Sequence, residues 1–256
     1  MDSTLDQCRW PPLSDPYDRA LRQAVAYILS RYEVLGLLVS GTIVRGNPHP
    51  ASDLDIYVVH AQPSRQRLQK FFNGVPAEIF VNPVRQIEAY MREEQAEGRP
   101  ITSHMWATGF LILDRHPSIA QLRQRARVYL AQNPQYSQEY LTNQRYMAAT
   151  SFEDACDIAP QDPAGASLLL SGAIMNMLQY AYLKAGRFIP RVKDLLVELD
   201  RLDPRLAALA REYCATSQSE QRLALAGEIA DLTIGVRGFF EWESPLEDLS
   251  AAPKTG

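Results

Sequence analysis

Every short apolar run of strand type in this chain lies before residue 115, and the segments after it carry helical spacing. Strands first and helices afterwards point to a small sheet-containing domain followed by a helical one. The strand-like runs cover 34–39, 54–59, 77–81 and 110–113. Helical spacing is read over 17–32 and 64–72. Residues 83–97 read as an amphipathic helix with Pro83 at its start and Gly98 just past its end. Beyond the last strand, helices are expected over 117–132, 137–158, 164–185, 190–200 and 204–236, the last broken near Ser217. The fold class expected is therefore α+β: a small mixed-sheet domain at 17–115, an all-α helical bundle at 116–245, and irregular ends at 1–16 and 246–256.

Composition narrows the function classes. With 256 residues, 46% of them hydrophobic, the chain is long enough to bury a real core and is neither disordered nor collagen-like. The three cysteines, Cys8, Cys156 and Cys214, form no CxxC pair, which excludes a zinc ribbon and suits a reducing compartment. No basic segment followed by an apolar one opens the chain, so a cytoplasmic location is expected. The longest apolar stretch, 166–183, is interrupted by Asn176 and Gln179 and reads as a buried helix, not a membrane span. Residues 1–115 carry 12 Lys/Arg against 13 Asp/Glu, and 116–256 carry 14 against 17. Neither half is the basic surface that nucleic-acid backbones select, so nucleic acid is not the expected partner.

The chemistry concentrates in two stretches, Val39-Ser40-Gly41-Thr42-Ile43-Val44-Arg45-Gly46 and Ser52-Asp53-Leu54-Asp55-Ile56. Gly41 ends a strand and permits a sharp turn with close ligand approach. Thr42 then opens a helical turn whose free N–H groups and hydroxyl suit a phosphate. Asp53 and Asp55, two apart, project from one strand face, where two carboxylates repel unless a cation lies between them. Glu78, between Ala77 and Ile79, adds a third carboxylate if its strand lies beside the second. Hard divalent cations take such oxygen sets. Two ions about 3.5–4 Å apart would clamp an in-line displacement at phosphorus.

Gly41-Thr42, Arg45-Gly46, Ser52-Asp53-x-Asp55 and Glu78 together resemble the signature of the polymerase-β-type nucleotidyltransferase superfamily, with Thr42 where Ser is commoner. The motif spans about residues 34–82. The two-part layout resembles the aminoglycoside nucleotidyltransferases, which pair this catalytic domain with a helical bundle. The resemblance implies transfer of a nucleoside monophosphate, AMP from ATP, to a hydroxyl of an aminoglycoside-like small molecule. It implies two Mg²⁺ ions on Asp53 and Asp55, Glu78 as further ligand or general base, and Gly41, Thr42 and Ser52 on the triphosphate. Arg45 is a further nucleotide contact, or else a structural ion-pair partner. Gly186-Arg187-Phe188-Ile189-Pro190-Arg191-Val192-Lys193 resembles a shorter motif of streptomycin-type members and makes Lys193 a triphosphate contact. Some relatives complete the site between subunits, which would make the chain a homodimer.

Glu139, Glu153, Asp154 and Asp157 are candidate contacts for a cationic acceptor, against the plainer reading of a solvated helix face. His49, His60, His104 and His116 show no metal-ligand spacing. GxxxxGK[ST] and GxSxG are both absent. Three alternatives stay open: AMP transfer to a partner protein, nucleotide addition to an RNA end, and a silent, antitoxin-like binding protein.

Overall fold

The apolar runs become the inner strands of one sheet in the computed structural model, which describes residues 4–246. Strands β1 (Val34–Ser40), β2 (Leu54–His60), β3 (Gln66–Phe72), β4 (Val75–Pro83) and β5 (Phe110–Asp114) lie in the order β3-β4-β2-β1-β5. The β2–β4 pair is parallel and the others antiparallel, so the sheet is mixed. β1 and β2 are covered on both faces, which is why they read as near-continuous apolar runs and not as alternation.

Helix α1 (Tyr17–Leu29) presents Leu21, Val25 and Ile28 to Leu37, Val39, Ile56 and Val58 on one face of the sheet. On the other face, α2 (Val84–Ala96), α3 (Ile101–Thr108) and α4 (Pro117–Ala131) bring Ile87, Met91, Trp106, Ile119 and Leu122 onto Leu38, Tyr57 and Val59. His116 caps α4: its Nδ1 accepts from the Ser118 N–H at 3.2 Å. These elements belong to the first of two compact units, and the chain divides between Gln132 and Asn133. The sequence boundary at 115/116 thus falls before α4, and the structure packs α4 with the sheet.

One segment is not what its composition suggests. Residues 64–72, expected as a helix, hold β3. Arg, Gln, Leu and Lys are good helix formers, so local propensity favours a helix. The Asn73-Gly74 turn, with φ of 48° and 77°, instead folds the segment back on β4. Hairpin pairing outweighs propensity here. Helix α3 has no counterpart in the sequence reading.

The second unit holds no strand among the described residues; its helices are α5 (Gln138–Ile158), α6 (Pro163–Lys184), α7 (Leu195–Leu202), α8 (Pro204–Ala215) and α9 (Ser219–Leu232). Phe152, Leu170, Met177, Leu178, Leu199 and Ile229 meet in its core. The long apolar stretch is α6, and no helix among the described residues is long and apolar enough to cross a membrane. The helix expected at 190–200 divides into a 3-10 turn, Val192–Asp194, and α7. Asp203 caps α8 through the Leu206 N–H at 3.0 Å. Of the irregular ends expected at 1–16 and 246–256, residues 1–3 and 247–256 lie outside the described residues, and Leu5–Gln7 form a 3-10 turn.

Candidate active site

Strand register builds the site. Ser40 of β1 stands opposite Asp55 of β2, Asp55 opposite Glu78 of β4, and Glu78 opposite Gln69 of β3. Asp53 immediately precedes β2. One carboxylate oxygen from each of Asp53, Asp55 and Glu78 lies within 4.8 Å of the others. Parallel pairing of β2 with β4 is what brings the third acid beside the first two.

Gly41, directly after β1, has φ +101°. A Cβ there would sit 3.0 Å from Asp55 Oδ2 and 3.3 Å from the Asp53 carbonyl oxygen. Glycine is required both for the backbone angle and for the closeness of the acids. The expected helical turn follows as a single turn: the Arg45 N–H donates to the Gly41 carbonyl at 3.3 Å, and Gly46 to Ile43 at 3.1 Å. Ser52 is buried, and its Oγ accepts from the His49 N–H at 2.7 Å. It also lies 2.8 Å from Thr42 Oγ1. The two hydroxyls assigned to a triphosphate are therefore neighbours, joined by a bond that ties the β1 turn to the entry of β2.

Arg45 is exposed, and no carboxylate among the described residues pairs with it, so the structural ion pair is not formed. Lys193 is exposed on the 3-10 turn of the second unit. Behind the acids, Tyr57 is buried, and burial pushes its phenol far above the usual range. Its hydroxyl meets Thr102 Oγ1 at 3.2 Å. His60 is engaged with the Ser64 carbonyl through Nε2 at 2.9 Å.

Two residues at the site escape the sequence reading. Arg67 donates to Glu78 Oε1 from Nε at 2.6 Å and approaches it with Nη2 at 2.5 Å. Gln69 Nε2 donates to the same oxygen at 3.1 Å. The signal was present. Counting outward from the Asn73-Gly74 turn pairs Phe72 with Val75 and Gln69 with Glu78.

The helical unit carries a pocket of about 500 Å³ lined by Tyr146, Glu153, Phe239, Glu241, Trp242 and Glu243. Tyr146 and Trp242 pack with ring centroids 5.3 Å apart. Of the four helical-domain acids singled out, only Glu153 lines it.

Three converging carboxylates form an all-oxygen donor set, which fits a hard divalent cation and not a soft one. No protein-family model matches the chain, and no curated protein matches it. Among solved structures it is similar to a nucleotidyltransferase-like protein from Exiguobacterium sibiricum 255-15. The TM-score is 0.51 and the identity 13%, over 84% of this chain and 76% of that one. At that identity the likeness shows the fold: a nucleotidyltransferase-like α+β arrangement with a helical C-terminal part.

Proposed function

We propose that this protein is a nucleotidyltransferase that moves a nucleoside monophosphate, AMP from ATP, to a hydroxyl of a small molecule. The observation that supports it best is the convergence of Asp53, Asp55 and Glu78 within 4.8 Å on a nucleotidyltransferase-like sheet. Asp53 and Asp55 would hold Mg²⁺, two ions in the full reading, with Glu78 as further ligand or base. Bound there, the cations would supply charge neutralisation for the triphosphate and the leaving pyrophosphate.

The chain's own groups would do the rest. Turn N–H groups after Gly41, with the Thr42 and Ser52 hydroxyls, would orient the triphosphate, aided by Arg45. The acceptor O–H bond breaks and its proton leaves to a carboxylate oxygen. The acceptor oxygen bonds to the α-phosphorus, and the bond to the bridging oxygen breaks, so pyrophosphate departs with that electron pair. The acceptor class we propose is an amine-bearing, aminoglycoside-like small molecule.

The test is pyrophosphate release with Mg²⁺ and each of the four NTPs against a panel of hydroxylated acceptors, aminoglycosides included. Acceptor-dependent release with ATP that disappears in Asp53→Asn is expected. Absence of release with every pair, together with absence of metal-dependent ATP binding, would overturn the reading.

A further inference from the structure

Glu78 is not held symmetrically. Arg67 Nε, Arg67 Nη2 and Gln69 Nε2 all converge on Oε1, at 2.6, 2.5 and 3.1 Å. Both hydrogen bonds that reach Glu78 among the described residues end on Oε1. Two hydrogen bonds and a close Nη2 contact occupy one oxygen, which leaves Oε2 as the carboxylate's working atom.

The arginine that makes this grip is itself fixed from the core. Its guanidinium lies over the Phe80 ring at 5.1 Å. Phe80 stacks on Tyr57 at 4.9 Å, and Tyr57 meets Trp106 edge-on at 5.8 Å. Trp106 is fully buried. A column of rings thus runs from the interior to the guanidinium, although the Arg67 side chain is 67% exposed and Glu78 only 14%. An exposed arginine braced this way loses little further freedom when it holds a carboxylate.

We propose that Arg67 and Gln69 are positioning residues that commit Glu78 to act through Oε2 alone. The proposal rests on the nucleotidyl-transfer reading of the site. It has an unusual consequence. The Arg67 charge beside the acids weakens cation binding there, while its geometry fixes the orientation that transfer requires. Removing Arg67 therefore moves two properties in opposite directions. Cation affinity rises, because a positive charge leaves and Glu78 Oε1 keeps only Gln69 as a donor. Turnover falls, because Oε2 is no longer aimed.

The experiment uses the full chain and Arg67→Ala, Arg67→Lys and Gln69→Ala, with thermal unfolding to confirm that each is folded. Mn²⁺ binding is read by electron paramagnetic resonance without nucleotide, and kcat and KM by pyrophosphate release. Arg67→Ala should bind Mn²⁺ about threefold to tenfold tighter. Its kcat should drop about 10- to 100-fold, with KM for ATP within about threefold of wild type. Arg67→Lys restores the charge but not the fork of donors, so Mn²⁺ affinity returns to wild type while kcat recovers only in part. Gln69→Ala should lower kcat less and leave Mn²⁺ affinity unchanged. Unchanged or weaker Mn²⁺ binding in Arg67→Ala, or an unchanged kcat, overturns the proposal. Tighter Mn²⁺ binding in Arg67→Ala with no turnover by wild type supports the arrangement around Glu78 and overturns the transfer reading instead.

Discussion

Replacing Asp53 by Asn removes one of three carboxylates whose oxygens converge within 4.8 Å, at nearly constant volume. Two like charges at that distance repel by about 3.5 kcal/mol at an effective dielectric of 20 and about 0.9 kcal/mol in water. Asp53 stands at the open end of β2, and Arg67 already offsets Glu78, so the lower figure applies. The metal-free variant should therefore be more stable than wild type by about 1 kcal/mol, a rise of roughly 2–4 °C in Tm. Mg²⁺ reverses the order. At ten times its Kd a cation adds about 1.4 kcal/mol to a protein that binds it only when folded. Wild type should gain that amount and the variant little of it. Thermal unfolding in EDTA and across a Mg²⁺ titration measures both terms. A variant less stable than wild type in EDTA, or an equal Mg²⁺ response in the two proteins, would refute a repelling acid cluster relieved by a cation.

Three further outcomes follow from the site and its support. Gly41→Ala should cost about 1–3 kcal/mol by urea unfolding, because φ is +101° there. It should also weaken Mn²⁺ binding, because the new Cβ would press on Asp55 Oδ2 at 3.0 Å. Ser52→Ala removes the acceptor of the His49 N–H and the partner of Thr42; a loss of about 1–2 kcal/mol is expected, with faster amide exchange at His49. Burial raises the Glu94 pKa above its ordinary 4.5, against the opposing hydrogen bonds from Thr102. The folded protein thus holds that proton more tightly than the unfolded chain. The stabilisation is complete below 4.5 and is lost as pH rises through the folded value. Glu94→Gln should flatten that decline in stability measured from pH about 4.5 upward.

Much of the site was legible because its elements are local. Gly41, Thr42, Ser52, Asp53 and Asp55 lie in one strand–turn–strand stretch, where spacing along the chain nearly equals position in space. Glu78 was legible on the condition that its strand lies beside β2, and the parallel register meets that condition. Arg67 and Gln69 were lost for a definite reason. Residues 64–72 carry helical spacing and good helix formers, and only the register of the Asn73-Gly74 hairpin sets them opposite Glu78. Local pattern also sets the sequence boundary before α4, whose amphipathic face looks alike whether it covers a sheet or joins a bundle.

By itself the sequence determined the α+β class, the inner strands, the helical second half and the acids that converge. Each of these follows from residue period, turn chemistry and short-range spacing. Only the tertiary structure decided what surrounds Glu78. A hairpin exchanges local preference for cross-strand pairing, and that pairing set Arg67 and Gln69 on one carboxylate oxygen of Glu78.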